Sequence, residues 1–190
     1  MARGLVEKAY IAVGEFVVGV PEEGEYASFY GTYVDQVRTG NLLERLRHQG
    51  QRVDDAVSAT TEEESLRSYA PGKWTVRQVL GHMADSERVF SYRLLRIGRS
   101  DPTPLAGFEQ NPYVAAADFN ARRLSDLAED FRIVRRATLR LLDTLSADDL
   151  TRTGIVNGDP ISARALVFVI AGHAEHHLRI LRDQYGVGRP

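Results

Sequence analysis

The sequence contains no cysteine, which excludes disulfides, iron–sulfur clusters, thiolate zinc sites and a cysteine nucleophile. Any metal site must therefore use histidine, aspartate, glutamate or water as ligands. A basic excess is also absent, since 24 lysine and arginine residues stand against 26 acidic residues, for a net charge of −2. This balance argues against nucleic acid as a partner.

Long hydrophobic runs are missing as well. No stretch of about 18 apolar residues occurs, so the sequence predicts no membrane-spanning helix. The first residues lack the apolar run and small-residue cleavage site of a secretory signal peptide. We therefore expect a cytoplasmic protein with no membrane partner.

The composition that remains is that of a globular protein. The chain has 190 residues, of which 43% are hydrophobic and 26% charged, enough for one domain with a hydrophobic core. Residues 1–40 are the least regular, with Tyr26, Phe29, Tyr30 and Tyr33 among acidic residues. Aromatic side chains at this density need a surface to pack against. We predict an irregular or partly helical arm over 1–40, packed on a main domain over 41–190.

Four segments of the main domain repeat apolar residues at the spacing of an amphipathic α-helix. They begin near residues 42, 76, 124 and 163. Thr75 and Gln78 have the spacing of a capping box before the second segment, and Ser162 is a typical N-cap before the fourth. With no sustained strand pattern, four such helices favour an all-α fold, a four-helix bundle.

Two connections within the bundle are informative. A long crossover over residues 99–120 joins the second and third helices, and we expect it to lie across the mouth of the bundle. Before the fourth helix, Asn157-Gly158 stands between two short β-prone segments, which is the signal of a type I′ hairpin.

Three of the five histidines, His173, His176 and His177, fall within five residues. His173 and His177 are four apart and continue the apolar face of the fourth helix, so both imidazoles are expected inside the bundle, close enough to bind one divalent ion. The predicted third ligand is His82, beside the apolar face of the second helix. Three histidines leave a coordination position for water or substrate, as in catalytic metal sites. The alternative is that these histidines are core residues that bind no metal.

Other chemically capable residues receive no site role from the sequence. His176 is expected beside the site or at the surface, and His48 in solvent. Glu175 follows His173 by two positions rather than one, which excludes the zincin motif of metalloproteases. Asp85 and Glu87 of the second helix are expected in solvent or in ordinary helix hydrogen bonds. Arg88, Arg93 and Arg96 could recognise an anionic substrate, but charged residues along a helix usually form its solvent-exposed face, which is where we expect them.

Two segments, YAPGKWTVRQVLGHMADSERVFSYRLLRIGRSDPTPLAGFEQNPYV and RALVFVIAGHAEHHLRILRDQYG, resemble the DinB/YfiT-like superfamily. The resemblance extends from about Leu42 to Tyr185. It implies a four-helix bundle that often forms a homodimer and binds a divalent metal through one histidine of the second helix and two of the last. Those positions match His82, His173 and His177. Nickel or zinc is the metal that the resemblance implies, and three imidazoles suit iron as well.

The resemblance also implies a reaction class. Some relatives are metal-dependent transferases of thiols such as bacillithiol or mycothiol, so we expect such a transferase or a hydrolase, with a small-molecule thiol or electrophile as substrate. A metal with an open position lowers the pKa of a bound thiol or water. The chain has Leu178-Arg179-Ile180 where many relatives have Arg-Gly-Gln, which leaves the substrate open. The alternative is a non-catalytic, stress-related module that binds metal or dimerises.

Overall fold

The computed structural model describes residues 8–13 and 16–187. They form seven α-helices and four short strands. The helices are α1 (Gly31–Val34), α2 (Leu42–Ser58), α3 (Val76–Gly98), α4 (Gln110–Ala116), α5 (Leu124–Leu142), α6 (Ala147–Thr151) and α7 (Ala163–Tyr185). The strands are β1 (Tyr10–Val13), β2 (Phe16–Gly19), β3 (Thr153–Val156) and β4 (Asp159–Ser162), with one pair of strands before α1 and the other pair between α6 and α7. The four long helices α2, α3, α5 and α7 are those predicted, so the all-α bundle is confirmed.

Polar side chains define where the long helices begin. The side chain of Asn41 accepts a hydrogen bond from the backbone N–H of Leu43 at 3.0 Å. Thr75 and Gln78 form the predicted capping box, with a bond of 2.9 Å from the Thr75 N–H to the Gln78 side chain. Each cap satisfies a backbone donor that the first turn of a helix leaves free.

Two apolar clusters fill the bundle, one above the other along the helix axes. One cluster includes Leu46 and Phe168, and the other includes Leu127 and Phe131. Between them each long helix contributes buried polar side chains at one level. These are Gln49 of α2, Ser86 and Glu87 of α3, Arg135 of α5 and His173 of α7. A polar layer therefore crosses the middle of the bundle.

The N-terminal segment differs from the predicted arm. Strands β1 and β2 pair antiparallel, and short helical turns follow as far as Val37. A run of four β-branched and small residues is too short for periodicity to separate strand from helix, which is why the hairpin was not predicted. Ile11, Val18 and Val34 join the first apolar cluster. Residues 1–7, 14 and 15 lie outside the described residues, and the division into arm and main domain stays a prediction.

The two predicted connections are both present. Strands β3 and β4 pair antiparallel around Asn157 and Gly158, whose φ angles of 52° and 88° are those that a type I′ turn requires. The crossover contains the short helix α4, and Leu105 within it bridges to Val156 of β3. None of the described helices is long and apolar enough to cross a membrane.

Candidate metal centre

His82 of α3 and His173 and His177 of α7 lie together inside the bundle. Each offers one ring nitrogen, and these atoms all lie within 4.8 Å of one another. The Nε2 atoms of His82 and His173 lie 3.1 Å apart. The three residues are 2%, 4% and 7% exposed, respectively. The fold thus brings together the three histidines that the sequence selected.

Close packing beside each helix segment holds the imidazoles in place. Gly172 precedes His173, and a Cβ atom at this position would overlap the backbone carbonyl of Tyr33. Gly81 precedes His82, and a Cβ atom there would overlap the ring of Phe119. These two glycines let α1 and the end of the crossover approach the histidine-bearing helices directly.

Aromatic rings surround the histidines. The Trp74 ring centroid lies 4.7 Å from that of His82, and the centroids of Tyr33 and Phe90 lie 5.3 and 5.5 Å from that of His173. Such rings limit both the rotation of the imidazoles and the access of water. The hydroxyl of Ser86 also lies against His82, with Oγ 3.3 Å from Nδ1 and 3.4 Å from Nε2.

Burial controls the protonation of all three side chains. It lowers the pKa of His82 to about 4, with a smaller contribution from the nearby His176. Burial also lowers the pKa of His173 and of His177 well below the usual value, and the neighbouring histidines add to this. The three imidazoles are therefore neutral near pH 7, which is the form that binds metal.

His177 leaves one polar atom unsatisfied. Its Nδ1 is buried and has no hydrogen-bond partner among the described residues. A buried nitrogen without a partner costs about 1–3 kcal/mol, so such an atom calls for an explanation. A bound cation would supply one.

Two cavities reach the histidines from different sides. The larger, about 660 Å³, contacts His82 and His173, and its wall includes Arg93, Phe108 and several other aromatic residues. The smaller, about 300 Å³, contacts His177 and Trp74. Residues of the crossover line both cavities, as expected of a segment across the mouth of the bundle.

Most of the other candidates lie where the sequence predicts. His48 is exposed, and His176 is half-buried with its ring centroid 5.0 Å from that of His177. Glu175 points away from the histidines and binds Arg52 at 2.8 Å. Asp85 and Arg88 pair with each other on the outside of α3.

Arg93 was wrongly expected on the polar face of α3, because it is 3% exposed and lines the larger cavity. A signal for this existed in the sequence. Arg93 follows the apolar Phe90 by three positions and precedes Ile97 by four, which places all three on one face of a helix.

Known proteins share both sequence and fold with this chain. A protein of Oceanobacillus iheyensis named "putative metal-dependent hydrolase" is 25% identical over 142 residues, a match that covers 72% of this chain and 79% of that protein. A second protein of the same organism and name is 29% identical over 113 residues, covering 58% of this chain and 64% of that protein.

Two solved structures share the fold. One is YfiT from Bacillus subtilis, described as "a probable metal-dependent hydrolase with an unusual four-helix bundle topology", with a TM-score of 0.66 and 20% identity over 84% of this chain and 87% of that one. The other is a DinB-like protein from Bacillus cereus, with a TM-score of 0.55 and 19% identity over 78% of this chain and 93% of that one. Residues 45–181 match the family model of the DinB superfamily, and the protein therefore belongs to that superfamily.

Proposed function

We propose that the protein binds one divalent metal ion through His82, His173 and His177 and acts as a metal-dependent hydrolase. The observation that carries this proposal is the set of three buried imidazoles, two of which, His82 and His173, line an open cavity. The names of the two relatives from Oceanobacillus iheyensis support it.

The residues present fit a metal by three independent properties. Neutral imidazoles are the usual ligands of zinc and nickel. Two nitrogens of a tetrahedral zinc site with bonds of about 2.0–2.1 Å stand roughly 3.3 Å apart, close to the 3.1 Å between His82 and His173. The unsatisfied Nδ1 of His177 is the third property. A hydrogen bond between the Nε2 atoms of His82 and His173 would also explain the distance between them. It would not explain why Nδ1 of His177 is buried without a hydrogen-bond partner among the described residues.

The cation would lower the pKa of a coordinated water or thiol and so supply a nucleophile near neutral pH. The chain's own residues prepare the site for this role. Burial keeps the imidazoles neutral, and the rings of Trp74 and Phe90 restrict the space around them. The Ser86 hydroxyl lies 3.3 Å from Nδ1 and 3.4 Å from Nε2 of His82 and can hydrogen-bond to one ring nitrogen, which leaves the other for the metal. Nickel or zinc is the expected ion, with iron as the next choice.

Transfer of a small-molecule thiol to an electrophile is the second candidate reaction. A hydrolase needs one organic substrate, whereas a transferase must hold two. The presence of two separate cavities, one at His82 and His173 and one at His177, favours the transferase on this point. Product analysis in the presence of bacillithiol or mycothiol would distinguish the two, because only the transferase gives a thioether or thioester product.

The first experiment is elemental analysis of untagged protein with His82→Ala, His173→Ala and His177→Ala variants, each checked for folding by circular dichroism. We expect about one metal ion per chain in the wild type and a large loss in each variant. His48→Ala, which removes an exposed histidine, is the matched control and should keep the metal. A wild type that remains metal-free after incubation with zinc and with nickel would refute the proposal.

A second experiment tests catalysis in the metal-loaded protein. Hydrolysis of a panel of small esters and amides, before and after chelation, should show activity that depends on the metal. Bound metal without turnover of esters, amides or thiol acceptors would instead support a non-catalytic module. The small-molecule substrate, the homodimer and the absence of nucleic-acid and membrane partners remain predictions, and light scattering would test the dimer.

A further inference from the structure

Arg93 is a buried cation in the wall of the larger cavity. It extends from α3, about three helical turns beyond His82, and is 3% exposed. The same cavity is lined by Arg93, His82 and His173. The guanidinium and two of the candidate metal ligands therefore belong to the wall of one cavity.

The guanidinium of Arg93 has few partners. Nη1 donates to the hydroxyl of Tyr30 at 3.4 Å, and Nη2 donates to the backbone carbonyl of Ala106 at 2.8 Å. Nε is buried and has no hydrogen-bond partner among the described residues. An arginine has five N–H donors, and the described residues accept hydrogen bonds from two of them.

The charge of Arg93 also lacks an ion-pair partner among the described residues. Among the described residues, no carboxylate lies within the 4.0 Å that defines an ion pair with Arg93, whereas the other two fully buried arginines, Arg77 and Arg135, each contact a glutamate. A buried charge is costly unless it is paired. A ligand that carries a negative charge would remove this cost.

The cavity wall indicates what else the ligand contains. Phe90 and Phe108 lie 5.9 and 5.6 Å from the guanidinium carbon of Arg93, and Tyr30 and Tyr33 line the same space. These rings suit an aromatic or other apolar body. Arg93 is the one positively charged side chain in the described wall of this cavity, because the histidines are neutral. Glu109, an exposed residue of the same wall, would repel a second negative charge on the ligand.

We propose that Arg93 binds a carboxylate of the substrate, and that the larger cavity takes a small molecule in which one carboxylate is attached to an aromatic or apolar body. A single carboxylate matches the single positive charge, and its two oxygens match the planar fork of N–H groups of a guanidinium. A phosphate, with its second negative charge, fits this wall less well. The inference rests on the proposed function only where it calls the ligand a substrate.

The test compares 4-fluorophenylacetate with its neutral isostere 4-fluorophenylacetamide, whose binding is measured by fluorine NMR. Metal-free and zinc-loaded protein are both titrated, because a carboxylate also coordinates zinc. We expect the acid to bind about 10-fold or more tightly than the amide in the metal-free protein, as for a charge-assisted hydrogen bond. Equal affinity for the two probes would overturn the proposal whether or not the protein binds metal.

Variants assign the preference to Arg93. Arg93→Met should abolish the preference for the acid and leave the affinity for the amide nearly unchanged, whereas Arg93→Lys should retain part of it. Arg88→Met, which removes an exposed arginine of the same helix, is the matched control and should bind both probes like the wild type. If Arg93→Met does not fold, the two probes on the wild type still show whether the cavity prefers a carboxylate. Arg93→Lys then shows whether that preference depends on residue 93.

Two further outcomes are informative. Tighter binding of 4-fluorophenyl phosphate than of the acid would overturn the choice of a carboxylate. An acid preference that survives in Arg93→Lys and Arg93→Met alike would assign the anion to another group and refute the role of Arg93. Elemental analysis is independent of these titrations, so failure of the metal site and failure of the carboxylate site are distinguishable.

Discussion

Arg135 of α5 and Glu87 of α3 form a bidentate ion pair in the middle of the bundle. Nε and Nη2 of Arg135 each donate to one carboxylate oxygen of Glu87 at 2.7 Å, and the two side chains are 3% and 4% exposed. Nη1 of Arg135 donates to the backbone carbonyl of Leu46 in α2 at 2.7 Å. Gln49, also in α2, donates to the backbone carbonyl of Ala171 in α7 at 2.8 Å. This network connects all four long helices one turn from His173.

Removal of one partner of this pair should destabilise the protein strongly. Arg135→Met leaves the Glu87 carboxylate buried without its cation, and the expected loss in the free energy of unfolding is about 3–5 kcal/mol. Urea unfolding measures this loss. Replacement of both residues, Glu87→Leu with Arg135→Met, should cost clearly less than the sum of the single changes. Additive losses would show that the two groups act independently.

Gly172→Ala should disturb the contact between α1 and α7. The new Cβ atom would overlap the backbone carbonyl of Tyr33, and backbone atoms cannot move aside as a flexible side chain can. We expect a loss of about 1–3 kcal/mol in thermal or urea unfolding. Gly50→Ala in α2 is the matched control, since a Cβ atom there meets nothing within 4 Å. This control should be neutral or stabilising by up to about 1 kcal/mol.

The metal-free protein should lose stability as the pH falls below about 6.5. The folded-state pKa of His82 is lowered from 6.5 to about 4, so in this range the unfolded chain binds a proton that the folded chain does not. Between about pH 7 and pH 5, His82 alone accounts for a loss of about 2 kcal/mol in the free energy of unfolding.

Urea unfolding between about pH 7 and pH 5 isolates this effect, because carboxylates with ordinary unfolded pKa values contribute mainly below that range. A His82→Gln variant should show a weaker dependence on pH. A wild type equally stable at both ends of the range would contradict the assigned protonation.

Metal binding should be visible in the fluorescence of Trp74, the chain's single tryptophan. Its ring lies 4.7 Å from that of His82, so nickel at the histidines is expected to quench its emission. His177→Ala should remove the quenching, and His48→Ala should not. The same titration should raise the free energy of unfolding by about 2.7 kcal/mol at 100 times the dissociation constant. Quenching that persists in His177→Ala would place the nickel elsewhere.

Much of the candidate site could be predicted from the sequence because its signals are local. Residues four apart on a helix share a face, so His173 and His177 had to be neighbours once the helix was recognised. The caps at Thr75 and Ser162 likewise depend on residues within three positions. The prediction that His82 lies beside His173 and His177 needed one additional assumption, that the second and fourth helices face each other in a bundle.

What the sequence determined by itself is therefore the set of helices, their buried faces and the three histidines that those faces share. Tertiary structure alone decided that Arg93 shares a cavity with His82 and His173 and has no carboxylate partner among the described residues, and that Arg135 meets Glu87 across the bundle. The physical reason is that the environment of a charged side chain depends on residues distant in sequence. Arg93 and Arg135 both lie on predicted helices, and only the packing of four helices and a crossover distinguishes an unpaired guanidinium from a paired one.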